Sequence, residues 1–160
     1  MRSHTRVAAP LLLAATLAAG CAGGPADAPG GDAAAGVAFR PVASVGQVMD
    51  AIVIPRSDQI FEGAIYENGQ LVTAPETLEE WAELEYAALA LAEAGNLLLI
   101  PPRLRDEGEW VVSSHAMTDA ALEVLQAARA QDVDELLRTG GILYASCVTC
   151  HEIYIPPDVP

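Results

Sequence analysis

Two cysteines and a histidine lie close together near the end of the chain, in the segment CVTCH. Cys147 and Cys150 are three positions apart, and His151 follows directly. Two thiols and an imidazole at this spacing suit four kinds of chemistry: a disulfide, a zinc site, a thiol redox pair, or covalent attachment of a haem. Choosing among the four requires the elements that position these side chains.

The first of those elements is a helix that starts near Ser44. Ser44 and Gln47 have the spacing of a capping box. The stripe of apolar residues that follows has helical spacing and comprises Val45, Val48, Met49 and Ile52. Pro55 is expected to kink or end this helix, because its ring collides with the carbonyl of Ala51.

A second helix is predicted after the turn residues of ENGQLVTAPE, where Thr77 and Glu80 form another capping box. Its apolar residues keep a seven-residue repeat, the pattern of a helical bundle: Trp81, Leu84, Ala88, Leu91, Gly95 and Leu98. The segment IPPR stops this helix.

Two more helices complete the predicted fold. Asp106 and Glu109 announce the third, whose apolar face is Trp110, Met117, Leu122, Leu125 and Ala128. Asp132 and Glu135 open the fourth, whose stripe is Val133, Leu136, Leu137, Gly140, Leu143, Tyr144, Cys147, His151 and Tyr154. No segment alternates long enough to predict a sheet. We therefore expect an all-α protein, an antiparallel four-helix bundle with short connections.

The N-terminal part is expected to lie outside this fold. Residues 1–20 have the basic start and short apolar core of a signal peptide, and LAAGC resembles the bacterial lipobox. Cys21 would then be the lipidated N-terminus; an ordinary secretory cleavage nearby is the alternative. Residues 21–38 read as a flexible tether, and residues 39–160 as the folded domain, with a core that begins near Phe39. Because Ala22 replaces the aspartate typical of inner-membrane retention, the resemblance implies a periplasmic protein anchored to the outer membrane.

The position of CVTCH at the C-terminal end of a helix separates the four chemistries. Carbonyl groups at that end should raise the pKa of a thiol, which disfavours a redox pair. A closed zinc site needs four ligands, and His115 would have to supply the fourth. A disulfide between Cys147 and Cys150 would close a tiny loop and stabilise little. Covalent attachment of one haem c uses all three residues and agrees with export.

A haem motif in the last helix of a four-helix bundle resembles the class II cytochromes c, the cytochrome c′ and c556 family. The similarity covers about Ser44 to Pro156, in VMDAIVIPRSD, EEW and ARAQDVDELLRTGGILYASCVTCHEIYIP. It implies His151 as one iron ligand and, in c556-like members, Met49 as the other. It also suggests that something approaches Gly140 and Gly141 closely, either another backbone or the haem edge.

Composition limits the partners and the functions. The chain has 22 acidic residues against 8 basic ones, all arginine, and a net charge of −14, so binding to nucleic acid is not expected. A basic redox partner protein fits, and a homodimer is one candidate state. No catalytic residue is predicted, and the chain is expected not to be an enzyme. One-electron transfer is the favoured function; a five-coordinate haem protein that binds NO or CO, and a haem-free exported bundle, are the rivals.

Overall fold

The structure, a computed structural model, describes residues 38–155, and this part is mostly helical, as an all-α protein should be. Helix α1 has three consecutive segments, Val45–Val48, the π-helical Met49–Val53 and Ile54–Gly63. The others are α2 (Leu78–Leu99), α3 (Glu109–Ala130) and α4 (Val133–Tyr154). The predicted signal peptide, Cys21, the tether up to residue 37 and residues 156–160 lie outside the described residues.

Within residues 38–155, no helix combines the length and the apolar character that crossing a membrane requires.

Side-chain caps start three of the four helices where the sequence predicted them, whereas α3 begins after Gly108, which has no side-chain cap. The Oγ of Ser44 accepts a hydrogen bond from the Gln47 N–H (3.2 Å), and the Gln47 side chain accepts from the Ser44 N–H (2.9 Å). Thr77 and Glu80 form the same reciprocal pair at the start of α2. Asp132 accepts from the N–H three residues on, at the start of α4. These bonds satisfy N–H groups that have no partner inside the helix.

Helix α1 continues through Pro55, where a kink or an end was predicted. The π-helical segment precedes the proline, and the N–H of Ile54 donates to the carbonyl of Met49, five residues back. Pro55, which has no N–H to donate, therefore falls in the first turn of the segment Ile54–Gly63, directly after the π turn.

A short antiparallel hairpin connects α1 and α2, where the sequence predicted turn residues but no strands. Its strands are β1 (Ile65–Glu67) and β2 (Gln70–Thr73). Asn68 (φ 51°) and Gly69 (φ 79°) lie between them in the left-handed region, as a two-residue hairpin turn requires. Strands of three and four residues are too short to produce a visible alternation.

Burial confirms the seven-residue repeat of α2, all of whose members are buried. Five other predictions of burial were wrong: Phe39 is 68% exposed, Leu122 43%, Leu137 45% and Tyr144 60%, and His151 is exposed as well. Ala121, one position before Leu122, is buried instead, and Leu136, which was also predicted to be buried, is 1% exposed. The 3.6-residue period places Leu122 and Leu137 just past the edge of the buried stripe, where the sequence pattern does not discriminate well.

Contacts between consecutive helices pair late residues of one with early residues of the next. At one end of α2 and α3, the Trp110 indole N–H donates to the Leu98 carbonyl (3.0 Å). At the other end, Arg129 forms an ion pair with Glu85 (3.1 Å). Early in α4, Arg138 donates to Glu123, which lies late in α3 (3.2 Å). At the end of α4, Tyr154 donates to Asp106, which precedes α3.

Candidate cofactor-binding site

The C-terminal half of α4 brings Cys147, Cys150 and His151 to one cavity. Its volume is about 760 Å³. Both cysteines are free thiols and half-buried. His151 is exposed overall, and its carbonyl accepts the bond from the Ile155 N–H (3.0 Å) that ends the helix. The motif therefore combines partly buried sulfur atoms with an accessible imidazole.

Burial raises the pKa of both thiols. For Cys147, a hydrogen bond with Ser146 opposes this rise without cancelling it. For Cys150, a hydrogen bond with Ser113 does the same. The predicted direction is confirmed, but the main cause is desolvation, not the carbonyl end of the helix. A thiol with a raised pKa is a poor nucleophile near neutral pH, so the arrangement does not suit a dithiol redox pair.

Met49 reaches the same cavity from α1. It is the first residue of the π-helical segment and is half-buried. A second cavity of about 450 Å³ adjoins the first and shares part of its wall: Met49, Ile54, Cys150, His151 and Ile155. Met49 therefore lies on both cavities, together with the histidine from the last helix. A π-helical segment in an α-helix frequently marks a functional position.

Helix α3 supplies a third wall, which the sequence analysis did not single out. Met117 is 6% exposed and belongs to the core, as predicted, but it also lines the larger cavity with Ser113 and Ser114. The Oγ of Ser114 donates to the carbonyl of Trp110 (2.8 Å). Ser113 precedes Met117 by one helical turn, so their shared face could have been found from spacing.

Tyr154, a member of the predicted stripe of the last helix, is half-buried and lines the smaller cavity. Its hydroxyl donates to Asp106 (2.5 Å), and its ring packs edge-to-face on Trp110 with 4.9 Å between centroids. The hydrogen bond to Asp106 raises the pKa of Tyr154 to about 12 and lowers the pKa of the Asp106 carboxyl. The end of α4 is thereby tied to the segment before α3.

No protein backbone approaches the two glycines of α4 as closely as expected. A Cβ at Gly140 would lie 3.6 Å from the Ile60 side chain, which is ordinary contact. A Cβ at Gly141 would have no neighbour within 4 Å. Within residues 38–155, neither glycine therefore has a close backbone neighbour, and of the two expected neighbours the haem edge stays a prediction.

The zinc alternative needs ligands that converge. His115 is exposed on α3. Within the described part of the chain, no group of three or more histidine, cysteine, aspartate or glutamate side chains is placed to hold a metal ion.

No family model, no curated protein and no solved structure matches this chain. The similarity to class II cytochromes c therefore depends on the residues of the chain itself.

Proposed function

We propose that this chain is a monohaem c-type cytochrome of the class II kind, an antiparallel four-helix bundle that transfers single electrons. One observation carries the proposal: Cys147, Cys150 and His151 from the last helix and Met49 from the first line the same cavity. These are two thiols, an imidazole and a thioether, the donor set that a covalently held, six-coordinate haem requires.

The properties of the cavity fit such a cofactor. Its volume of about 760 Å³ lies within the range of about 300–1,000 Å³ common for cofactor sites. Apolar side chains from all four helices line it, among them Phe61, Leu98, Met117 and Val148. Both thiols are unpaired and so available for reaction.

Each residue has a definite role in this proposal. Cys147 and Cys150 each add S–H across one vinyl group, which forms two thioether bonds without loss of any atom. His151 would supply an imidazole nitrogen and Met49 a thioether sulfur as ligands of the iron. When bound, haem supplies an iron that alternates between the ferric and ferrous states. A thioether opposite an imidazole raises the reduction potential, which suits an electron carrier.

The test is to mature the full chain in a host with cytochrome c assembly machinery. Denatured wild type should keep its haem stain on a gel, and the double variant Cys147→Ala, Cys150→Ala should lose it. Ser146→Ala is a matched control on the same helix and should keep the stain. Haem that extracts from the wild type into acidic organic solvent would contradict covalent attachment.

The proposal extends to location and partners. Export through the signal peptide and acylation of Cys21 would tether the domain in the periplasm, at the outer membrane, where the acidic surface would meet a basic redox protein. Cells that produce Cys21→Ser should release the protein or accumulate it unprocessed, while the wild type fractionates with membranes. Mass spectrometry that finds an unmodified N-terminus at another residue would overturn the lipid anchor.

A further inference from the structure

Arg105 is the positively charged side chain on the wall of the candidate site. It lines the smaller cavity together with His151, Cys150 and Asp50. The walls of the larger cavity hold no arginine, and the chain has no lysine. In a protein with a net charge of −14, an arginine at the mouth of an apolar cavity favours a negatively charged ligand group there.

Most other arginines among residues 38–155 already have partners. Arg129 and Arg138 form ion pairs with glutamates, and Arg56 donates to Gln59. Arg103 is buried and donates to two backbone carbonyls, at 2.6 and 3.1 Å. The side chain of Arg105 has neither an ion pair nor a hydrogen bond within the described residues. Within residues 38–155, all of its guanidinium donors are therefore without a protein partner.

Arg105 lies next to a rigid aromatic neighbour. Its guanidinium carbon lies 6.0 Å from the centroid of the Trp110 ring, within cation–π range. Trp110 is 3% exposed, and its indole is held by the bond to Leu98 and by the packed ring of Tyr154. Arg105 is itself exposed, and its guanidinium lies beside this held ring on the wall of the smaller cavity.

We propose that Arg105 binds a carboxylate of the molecule that occupies these two cavities. Under the proposed function, on which this inference rests, that carboxylate is a propionate of the haem. The planar guanidinium matches a carboxylate through two parallel hydrogen bonds, which a lysine cannot reproduce. Asp50 on the same wall would repel a carboxylate, so the anionic edge should turn toward Arg105 and away from α1.

The test compares wild type, Arg105→Gln and Arg105→Lys, each matured with haem as the full chain. Resonance Raman spectra report the bending band of the haem propionates, which responds to their hydrogen bonding. We expect Arg105→Gln to shift this band and to lower the reduction potential, because a nearby cation favours the ferrous state. Arg105→Lys should shift the band part of the way. The control Arg129→Gln, which removes an exposed arginine paired with Glu85, should leave both quantities as in wild type.

An unchanged propionate band in Arg105→Gln, with haem covalently bound, would overturn the role of Arg105 and leave the proposed function standing. A wild type without covalent haem would overturn both. If Arg105→Gln yields no haem protein, Arg105→Lys decides the matter alone: a partial shift supports the contact, and a wild-type band overturns it.

Discussion

The interface between α2 and α3 and the space between α1 and α4 are built from side chains of different kinds. Where α2 meets α3, a Cβ at Gly95 would lie 2.9 Å from the Ser114 carbonyl, and both helices carry many small residues that are at most 1% exposed: Ala87, Ala88, Ala94, Ala121, Ala127 and Ala128. Longer side chains of α1 and α4 line the larger cavity, including Met49, Phe61 and Tyr144. Small residues let two backbones approach closely and leave no void, whereas long ones enclose space. The α2–α3 interface therefore supplies stability, and the α1–α4 side supplies a site.

Truncating the packed interface should have the largest effect. Leu91 is fully buried in α2, and Leu91→Ala should lower the free energy of unfolding by about 2–5 kcal/mol, since it removes apolar contacts and leaves a cavity. Denaturant unfolding followed by circular dichroism measures this. The matched control is Leu137→Ala, at a residue 45% exposed, which should change stability by less than about 0.5 kcal/mol. Equal losses in both variants would contradict the difference between the two regions.

Adding a single carbon to the same interface should have the next largest effect. A Cβ at Gly95 would lie 2.1 Å from the Thr118 hydroxyl and 2.9 Å from the Ser114 carbonyl. Gly95→Ala should therefore destabilise by about 1–3 kcal/mol through overpacking. Gly141→Ala, a helical glycine with open space around it, should instead stabilise by up to about 1 kcal/mol. Thermal unfolding of both variants tests the opposite signs, and a stabilised Gly95→Ala would mean that α2 and α3 can separate at little cost.

On the α1–α4 side, a change of ligand should alter chemistry much more than stability. Met49→Leu keeps the volume of the side chain, so the loss of stability should stay below about 1.5 kcal/mol. Without the thioether, the haem protein should become high-spin, bind CO faster and fall in reduction potential. Absorption spectra, CO binding and redox titration measure these changes.

Met117→Leu is the matched control, because Met117 lines the larger cavity but not the smaller one. Its spectrum should remain that of the wild type. If the wild type is already high-spin and Met49→Leu changes nothing, Met49 is a core residue. The gas-binding rival, with an open sixth position on the iron, would then be the better account.

The sequence was sufficient where local chemistry decides the structure. Capping pairs such as Ser44 with Gln47, and Thr77 with Glu80, gave the starts of helices, because their hydrogen bonds join residues three apart. The repeat around Leu91 gave the buried face of α2. The CVTCH segment needs no tertiary information to be read as a haem motif, since its residues are sequential.

Features that depend on distant parts of the chain could not be read in this way. The π-helical segment before Pro55 is one of several responses that a helix can make to a proline. The wall formed by Ser113 and the support of Arg105 on Trp110 arise from how α3 meets α4 and the preceding loop. Sequence periodicity identifies a buried face, but it cannot say which buried positions border a cavity.

The central claim is that Cys147 and Cys150 hold one haem covalently, and the mass of a single peptide tests it most directly. Because the chain has no lysine, trypsin cuts after Arg138 and releases both cysteines on one C-terminal peptide, whatever happens at the N-terminus. The account predicts that this peptide is heavier by one haem and that neither cysteine reacts with an alkylating reagent. A peptide of unmodified mass, with two thiols that alkylate after reduction, would contradict it.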